Sequence, residues 1–233
     1  MVYHVNADDL VGTSVQTIEP KSKYKRIVAA KASRSQRMFD IAAASVLLVF
    51  FAPFILIVTL CVMASDRRQI LFAHTRIGLG GRTFKCLKFR TMCLDAETRL
   101  KKHLAENPEA QKEWDSCQKL THDPRLTPIG AVLRKTSLDE LPQLWNVLVG
   151  EMSMVGPRPI VADEAKHYGT NYAAYKSVRP GLTGAWQVSG RSETTYVERV
   201  ALDVEYVENR SLWLDFVICL KTVRVVLIGK GAR

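Results

Sequence analysis

An adjacent pair of carboxylates, Asp139 and Glu140, lies in the segment Ser137-Leu138-Asp139-Glu140. Serine and glutamate at this spacing form a capping box, which alone would stabilise the start of a helix by about 1 kcal/mol. Pro142 would remove a hydrogen bond from a helix that began at Ser137, so we expect the start one or two residues later. At a helix N-terminus an aspartate stays ionised and phosphate is attracted, so Asp139 could also attack phosphorus or bind a metal ion.

Two groups of basic side chains accompany this carboxylate pair. Arg134 and Lys135 directly precede it, where they either favour the C-terminal dipole of a helix or bind phosphate. Lys88 and Arg90 are two residues apart in a β-rich run, so both are predicted on one face of a strand. There they are either solvated charges on an edge strand or the two sides of an anion site.

Two loops rich in glycine, proline and arginine are further candidates. Prolines on both sides of Arg158 fix its backbone, so little entropy is lost when the side chain binds an anion. Arg179 begins the second loop, which ends at Arg191 and contains glycines that allow close backbone approach. The second pattern is equally that of a tight connection.

The elements that must position these residues are mostly helical. Residues 70–92 predict a β-hairpin, because two β-rich runs flank a cluster of glycines. The segment 137–149 predicts a helix with Leu141, Leu144, Trp145 and Leu148 on one face. Other helices are predicted over 94–119 with a break near Pro108, after Thr127 with Pro128 as first residue, and over 194–208. The expected class is α+β, mostly helical, with one small sheet.

Residues 41–65 carry no charge and are long enough to cross a membrane. A helix of this length reaches about 37 Å, against about 30 Å of hydrocarbon. Pro53 divides the run, and basic residues flank both of its ends. Positive charge prefers the cytoplasmic side, so a helix over 41–66 that bends at Pro53 and returns is favoured over one that spans. Residues 212–228 predict an amphipathic helix, either in the membrane interface or packed on the core.

The net charge of +10 is unevenly distributed. Residues 21–39 hold seven basic and no acidic side chains, which leaves +3 for the remainder. A basic collar beside an apolar helix suits the anionic lipids of an inner leaflet, and a near-balanced body disfavours nucleic acid. We expect a flexible tail over 1–20, the collar over 21–40, the re-entrant membrane helix over 41–66 and a cytoplasmic catalytic domain over 67–233.

From about residue 35 to the C-terminus, the chain resembles the monotopic phosphoglycosyl transferases, the bacterial sugar transferases. It is most similar to members that place galactose 1-phosphate on undecaprenyl phosphate at the start of succinoglycan-type exopolysaccharide. The motifs that carry the resemblance, in order, are the collar leading to Phe39-Asp40, the Pro-broken apolar helix, Lys88-Phe89-Arg90-Thr91-Met92, Ser137-Leu138-Asp139-Glu140-Leu141-Pro142-Gln143, Gly156-Pro157-Arg158-Pro159 and Arg179-Pro180-Gly181-Leu182-Thr183-Gly184.

The resemblance implies an enzyme of the bacterial inner membrane, with its catalytic body and both termini in the cytoplasm. Asp139 would attack a UDP-sugar, form a phosphosugar-aspartyl intermediate and release UMP, and undecaprenyl phosphate would then accept the sugar 1-phosphate. Glu140 would deprotonate the acceptor or hold the metal, and Mg²⁺ would bridge Asp139 and the diphosphate. Lys88, Arg134 and Arg158 would neutralise phosphate charge.

Several alternatives stay open at this point. The donor sugar could be glucose or an acetamido sugar, because no residue distinguishes them from galactose. A non-enzymatic, membrane-anchored protein that binds acidic lipid would also explain the collar and the helix. A nucleic-acid binder has only the net charge in its favour. A homodimer is neither indicated nor excluded.

Overall fold

The computed structural model of the chain describes residues 34–65, 69–117, 120–189 and 194–228. The expected tail over 1–20, most of the collar and Arg191 lie outside these residues. The elements in chain order are α1 (Arg34–Ser65), β1 (Leu71–Ile77), β2 (Thr83–Phe89), α2 (Ala96–Glu106), α3 (Pro108–Cys117), α4 (Pro128–Thr136), α5 (Gln143–Val149), β3 (Ser153–Val155), α6 (Tyr172–Lys176), β4 (Gly181–Thr183), α7 (Ala185–Val188), α8 (Tyr196–Asn209) and α9 (Leu212–Ile228). Short 3-10 segments cover Leu79–Gly81, Leu138–Glu140 and Ala162–Asn171.

The predicted β-hairpin is confirmed. Strands β1 and β2 pair in antiparallel fashion, with Phe72 opposite Lys88 and Arg76 opposite Phe84. The turn contains Gly80 and Gly81, both at positive φ, which glycine adopts without steric cost. Directly paired residues of an antiparallel sheet share a face, so Arg76 and Lys88 project from the same side of the hairpin.

The mostly helical class and several helix boundaries are also confirmed. A break separates α2 from α3, which begins at Pro108, and α4 begins at Pro128. Thr127 is the N-cap of α4, because its hydroxyl accepts a hydrogen bond from Gly130 N at 3.0 Å. Helix α8 occupies the segment predicted over 194–208.

The start of the helix after Ser137 requires a correction. Ser137 ends α4 in the left-handed conformation, and its side chain makes no capping bond to the next turn, so the capping-box interpretation is wrong. Residues Leu138–Glu140 form a 3-10 turn, and α5 begins only at Gln143, with Pro142 at the N-cap position. Proline tolerates that position because its missing N–H has no partner in a first turn. Trp145 is 57% exposed, so it does not share the buried face of Leu144.

A second sheet replaces part of the two predicted loops. Strands β3 and β4 pair in parallel, with Ser153 aligned to Gly181, whereas we expected one sheet. Glycine permits this pairing at close range, because a Cβ on Gly181 would collide with the backbone of Gly156. The two glycine-rich segments therefore pack directly on each other and place Arg158 beside the hairpin.

Helix α1 contacts the body along both of its halves. In the first half Ala44 and Leu47 join the main core, and in the second half Val58 and Val62 pack with Phe89 of β2. The helix continues through Pro53, where proline cannot donate the backbone hydrogen bond of a regular helix. The bend expected there stays a prediction. Among the described residues α1 is the one helix whose length and apolar composition would allow it to cross a membrane.

Large apolar side chains remain exposed on α1 and α9. Phe50 of α1 is 64% exposed, and Trp213 of α9 is 73% exposed. Helix α9 also buries Ile218 in the main core, which agrees with the packing expected for residues 212–228. Its place in a membrane interface stays a prediction. This exposed apolar surface is suited to a lipid interface.

Candidate active site

The carboxylate pair lies in the 3-10 turn between α4 and α5, next to strand β2. Asp139 is only 7% exposed, and its Oδ2 lies 3.7 Å from Lys88 Nζ. Lys88 Nζ donates a hydrogen bond of 2.6 Å to Glu140 Oε1, so one ammonium group contacts both carboxylates. The side of the hairpin that carries Lys88 is therefore directed toward the 3-10 turn that holds Asp139 and Glu140.

Burial raises the pKa of Asp139 above its usual range, and the charge of Glu140 raises it further. The positive charges of Lys88 and Arg134 act in the opposite direction and lower this pKa. A buried carboxylate is weakly solvated, which makes it a stronger nucleophile once it is ionised. These two cations therefore favour its ionised form.

Arg134 is positioned by the way α4 packs on the end of the hairpin. Gly130 lies against the backbone of Thr91, where any Cβ would collide. At this distance Arg134 Nε donates a hydrogen bond of 3.0 Å to Thr91 Oγ1. The neighbouring Lys135 is exposed, so only the arginine of this pair is oriented toward the turn.

An open cleft adjoins the carboxylate pair. The residues that line it are Arg76, Cys86, Lys88, Glu140, Gln143, Arg158, Pro159, Gly181, Leu182 and Gln187. Its lining holds three cations and one carboxylate, so it is suited to an anionic ligand. Asp139 is not part of the lining, but its carboxylate lies within 4 Å of Lys88, and Lys88 does line the cleft.

Arg158 enters the cleft from the loop that follows β3. Its guanidinium carbon lies 5.6 Å from the centroid of the Trp186 ring, and that of Arg199 lies 5.0 Å from the same ring. Stacking on an indole orients a guanidinium group while leaving its N–H groups able to bind an anion. Trp186 therefore supports Arg158 in addition to the two flanking prolines.

Three of the candidate arginines are not part of this arrangement as described. Arg90 is just past the end of β2 and bonds to Gln69, outside the cleft lining. Arg179 Nε donates to Gly150 O at 2.8 Å, so its guanidinium is directed to the end of α5. Arg191 lies outside the described residues. Their roles in phosphate binding stay predictions.

Arg76, Gln143 and Gln187 line the cleft but were not singled out from the sequence. Arg76 could have been found from the hairpin register, because pairing about the glycine turn puts it on the face of Lys88. Gln143 ends the motif around Asp139, which could have marked it. Gln187 carries no comparable pattern, since a glutamine is typical of any helix surface or turn.

The donor set restricts how a metal ion could bind. Across the described ranges, no group of three or more His, Cys, Asp or Glu side chains could hold one. Mg²⁺ is commonly held by one or two carboxylates, with substrate phosphates and water completing its octahedron. Asp139 and Glu140, adjacent in one turn, fit that role.

Comparison with known proteins identifies the family. The profile of the bacterial sugar transferases matches residues 31–229. The chain belongs to this family. The match includes the cleft and the carboxylate turn, and it confirms the resemblance stated from the motifs and the expectation of a phosphoglycosyl transferase.

Three relatives show the range of named activities among similar bacterial sugar transferases. The exopolysaccharide production protein ExoY of Rhizobium meliloti is 49% identical over 85% of this chain and 88% of its own length. An undecaprenyl-phosphate galactose phosphotransferase of Salmonella typhimurium is 45% identical over 88% of this chain and 43% of its own. A UDP-glucose:undecaprenyl-phosphate glucose-1-phosphate transferase of Caulobacter vibrioides is 39% identical over 94% and 79%.

Proposed function

We propose that this bacterial sugar transferase moves a sugar 1-phosphate from a UDP-sugar to undecaprenyl phosphate, releases UMP, and so begins exopolysaccharide assembly. The observation that carries the proposal is a buried aspartate, Asp139, beside Lys88 at the edge of a cationic cleft. A diphosphate is the kind of anion such a cleft accommodates, and a carboxylate is a nucleophile toward phosphorus. Relatives named for undecaprenyl phosphate add support.

In the first step a carboxylate oxygen of Asp139 attacks the β-phosphorus of the UDP-sugar. A new P–O bond forms to Asp139, the bond from the β-phosphorus to the bridging oxygen breaks, and the electron pair leaves with UMP. Lys88 lies 3.7 Å from Asp139 Oδ2, where it can stabilise the charge that develops on the phosphoryl oxygens.

In the second step a phosphate oxygen of undecaprenyl phosphate attacks the phosphosugar-aspartyl group and restores the Asp139 carboxylate. Glu140 is suited to accept the acceptor's proton, because it lines the cleft and is more exposed than Asp139. Mg²⁺ held by Asp139 and Glu140 would neutralise charge on the diphosphate when bound.

Galactose is the proposed donor sugar. The support is the resemblance of the whole chain and the naming of similar proteins for galactose transfer. Another relative is named for glucose transfer, so glucose is the first alternative to test.

We further propose that α1 enters the inner membrane from the cytoplasmic side and returns to it. A helix of 32 residues extends about 48 Å. If this helix crossed the bilayer, one of its halves would lie too far from a body on the cytoplasmic side to pack against it. Here both halves pack on the same body, while the middle of the helix exposes Phe50 and Phe54.

The decisive experiment is UMP release by the purified protein with undecaprenyl phosphate and a panel of UDP-sugars. We expect release with UDP-galactose, its loss on chelation of Mg²⁺, and its recovery when Mg²⁺ is restored. If no UDP-sugar gave UMP release, the proposed reaction would be wrong. If only UDP-glucose gave UMP release, the donor sugar would be glucose and not galactose.

Trapping the covalent intermediate tests the role of Asp139. With UDP-[sugar-¹⁴C] and no acceptor, the wild type should retain label that Asp139→Asn does not, because an amide is a poor nucleophile. Asp163→Asn is the matched control, since Asp163 is an exposed aspartate in the Ala162–Asn171 segment. Retained label in Asp139→Asn would show that another residue is the nucleophile.

A further inference from the structure

Arg76 is a basic side chain of the cleft that no family motif quoted above includes. It projects from β1 and is only 18% exposed. Its Nη1 donates to Pro159 O at 3.2 Å and lies 3.5 Å from Glu164 Oε2. These contacts hold one edge of the guanidinium against the Arg158 loop and leave its other donors for a ligand.

Arg76 and Arg158 converge on the same part of the cleft. Both line it, and burial, together with the charge of Arg158, lowers the pKa of Arg76. Two guanidinium groups that line one cleft repel each other, and the negative charge of Glu164 acts against that repulsion. A bound phosphate would remove the repulsion, since each guanidinium can donate to separate oxygens.

The hairpin defines two ends of this cleft. Arg76 pairs with Phe84. Lys88 lies four residues after Phe84 on β2, and the backbones of Phe84 and Lys88 are about 13 Å apart. The Lys88 end continues to Phe89, which packs on Val58 of α1. The Arg76 end leads to the turn and to Ile77, which bonds to Ile160, away from α1.

In a displacement at phosphorus, the attacking and leaving oxygens lie on opposite sides of the phosphorus. Asp139 lies at the Lys88 end, so the leaving group departs toward the other end. We propose that Arg76, together with Arg158, binds the phosphate of the departing nucleoside monophosphate, while the lipid phosphate arrives at the end next to α1. This inference rests on the proposed function. It adds the orientation of the UDP-sugar in the cleft, with its nucleotide toward Arg76.

The test is binding of UMP to the purified full-length protein, measured by isothermal titration. Arg76→Met should weaken UMP binding about 10- to 100-fold, the effect of losing one hydrogen bond to a charged group. Arg76→Lys should recover only part of the affinity, because an ammonium lacks the planar fork. Arg82→Met is the matched control, since Arg82 is exposed in the same hairpin and outside the cleft.

A second variant separates a lost ligand contact from a misfolded site. Glu164→Gln removes the negative partner of Arg76 while its side-chain oxygen can still accept from Val161 N. It should bind UMP as well as or better than the wild type, whereas weaker binding would contradict the inference. Two results for Arg76→Met would overturn the inference: unchanged UMP binding, or a raised KM for undecaprenyl phosphate alone. Neither result would affect UMP release by the wild type, so the proposed function would stand.

Discussion

Lys88 is the residue on which the ionisation of the nucleophile most depends. Its ammonium group contacts Glu140 at 2.6 Å and Asp139 at 3.7 Å. Of the effects that lower the pKa of Asp139, its charge is the largest. Because this carboxylate acts only when it is deprotonated, activity should increase with pH through its pKa.

Replacing Lys88 by methionine should therefore move the acid limb of the kcat profile to higher pH. Without the ammonium group, burial and Glu140 raise the pKa of Asp139, and only Arg134 and a backbone hydrogen bond still lower it. We also expect turnover at pH 7 to fall about 100-fold, since a charge that stabilises the transition state is lost. Lys85→Met, on the same strand but bonded to Thr75, should change neither. An unshifted acid limb would contradict this assignment.

Asp203 is a buried carboxylate behind the arginine and tryptophan cluster. It is 1% exposed, accepts a hydrogen bond of 2.7 Å from Tyr168, and its Oδ1 has no hydrogen-bond partner. Burial raises its pKa to about 7, so its protonated form is favoured in the folded protein. It binds a proton more tightly when folded than when unfolded.

This difference predicts a pH dependence of stability. A pKa raised by folding contributes stability that is present at low pH and is lost as pH rises toward the folded value, here between about 4 and 7. Asp203→Asn removes that contribution while keeping an acceptor for Tyr168. Its melting temperature should decline less than that of the wild type between pH 4.5 and 7.5, as measured by differential scanning fluorimetry. Parallel curves would exclude Asp203 as the titrating group.

At the scale of elements, α1 is attached to the body by a polar contact as well as by its apolar faces. Arg37 donates to Val147 O at 2.6 Å and to Leu148 O at 2.5 Å, the carbonyls at the end of α5. A cation at a helix C-terminus satisfies carbonyls that have no partner within the helix. Arg37, counted within the basic collar, is thus directed to the protein.

Arg37→Met should lower the free energy of unfolding by about 1.5–3 kcal/mol, the range for hydrogen bonds to a charged group. Arg34→Met, one turn earlier on α1 and exposed, should leave it unchanged. Chemical unfolding in detergent micelles measures both. Equal effects in the two variants would mean that the hydrogen bonds of Arg37 do not stabilise the attachment of α1.

The contact between the two glycine-rich segments predicts a contrast between glycines. Gly181→Ala should destabilise the protein strongly and reduce activity, because its Cβ would overlap the backbone of Gly156 and shift the Arg158 loop. Gly80→Ala meets no neighbour and adds only the cost of its positive φ, about 1–2 kcal/mol. Thermal melts and UMP release compare the two, and a milder effect at Gly181 would contradict the close approach.

For the whole molecule, packing of both halves of α1 on one body predicts its topology. Reporters fused at residues 5 and 230 should both be cytoplasmic, since a returning helix leaves its two ends on one side. Cysteine labelling in intact cells is a suitable readout. Reporters on opposite sides would establish a spanning helix in place of a re-entrant one.

The local features of the fold follow from short stretches of sequence. Thr127 and Pro128 specify the start of α4, glycines specify the hairpin turn, and the ordered motifs mark the family. These patterns act between residues that are close in the chain, so they can be predicted from the sequence without knowledge of the fold. The same holds for the long apolar run, whose composition alone marks it as a membrane-helix candidate.

Which charged side chains face the cleft depends on how distant elements pack together. Arg179 and Arg76 both lie next to turn-forming residues, yet one caps α5 and the other lines the cleft. Arg37 likewise looks like a surface cation but packs against α5. A long basic side chain can reach several partners, and its choice depends on elements far away in the chain that packing brings within hydrogen-bond distance.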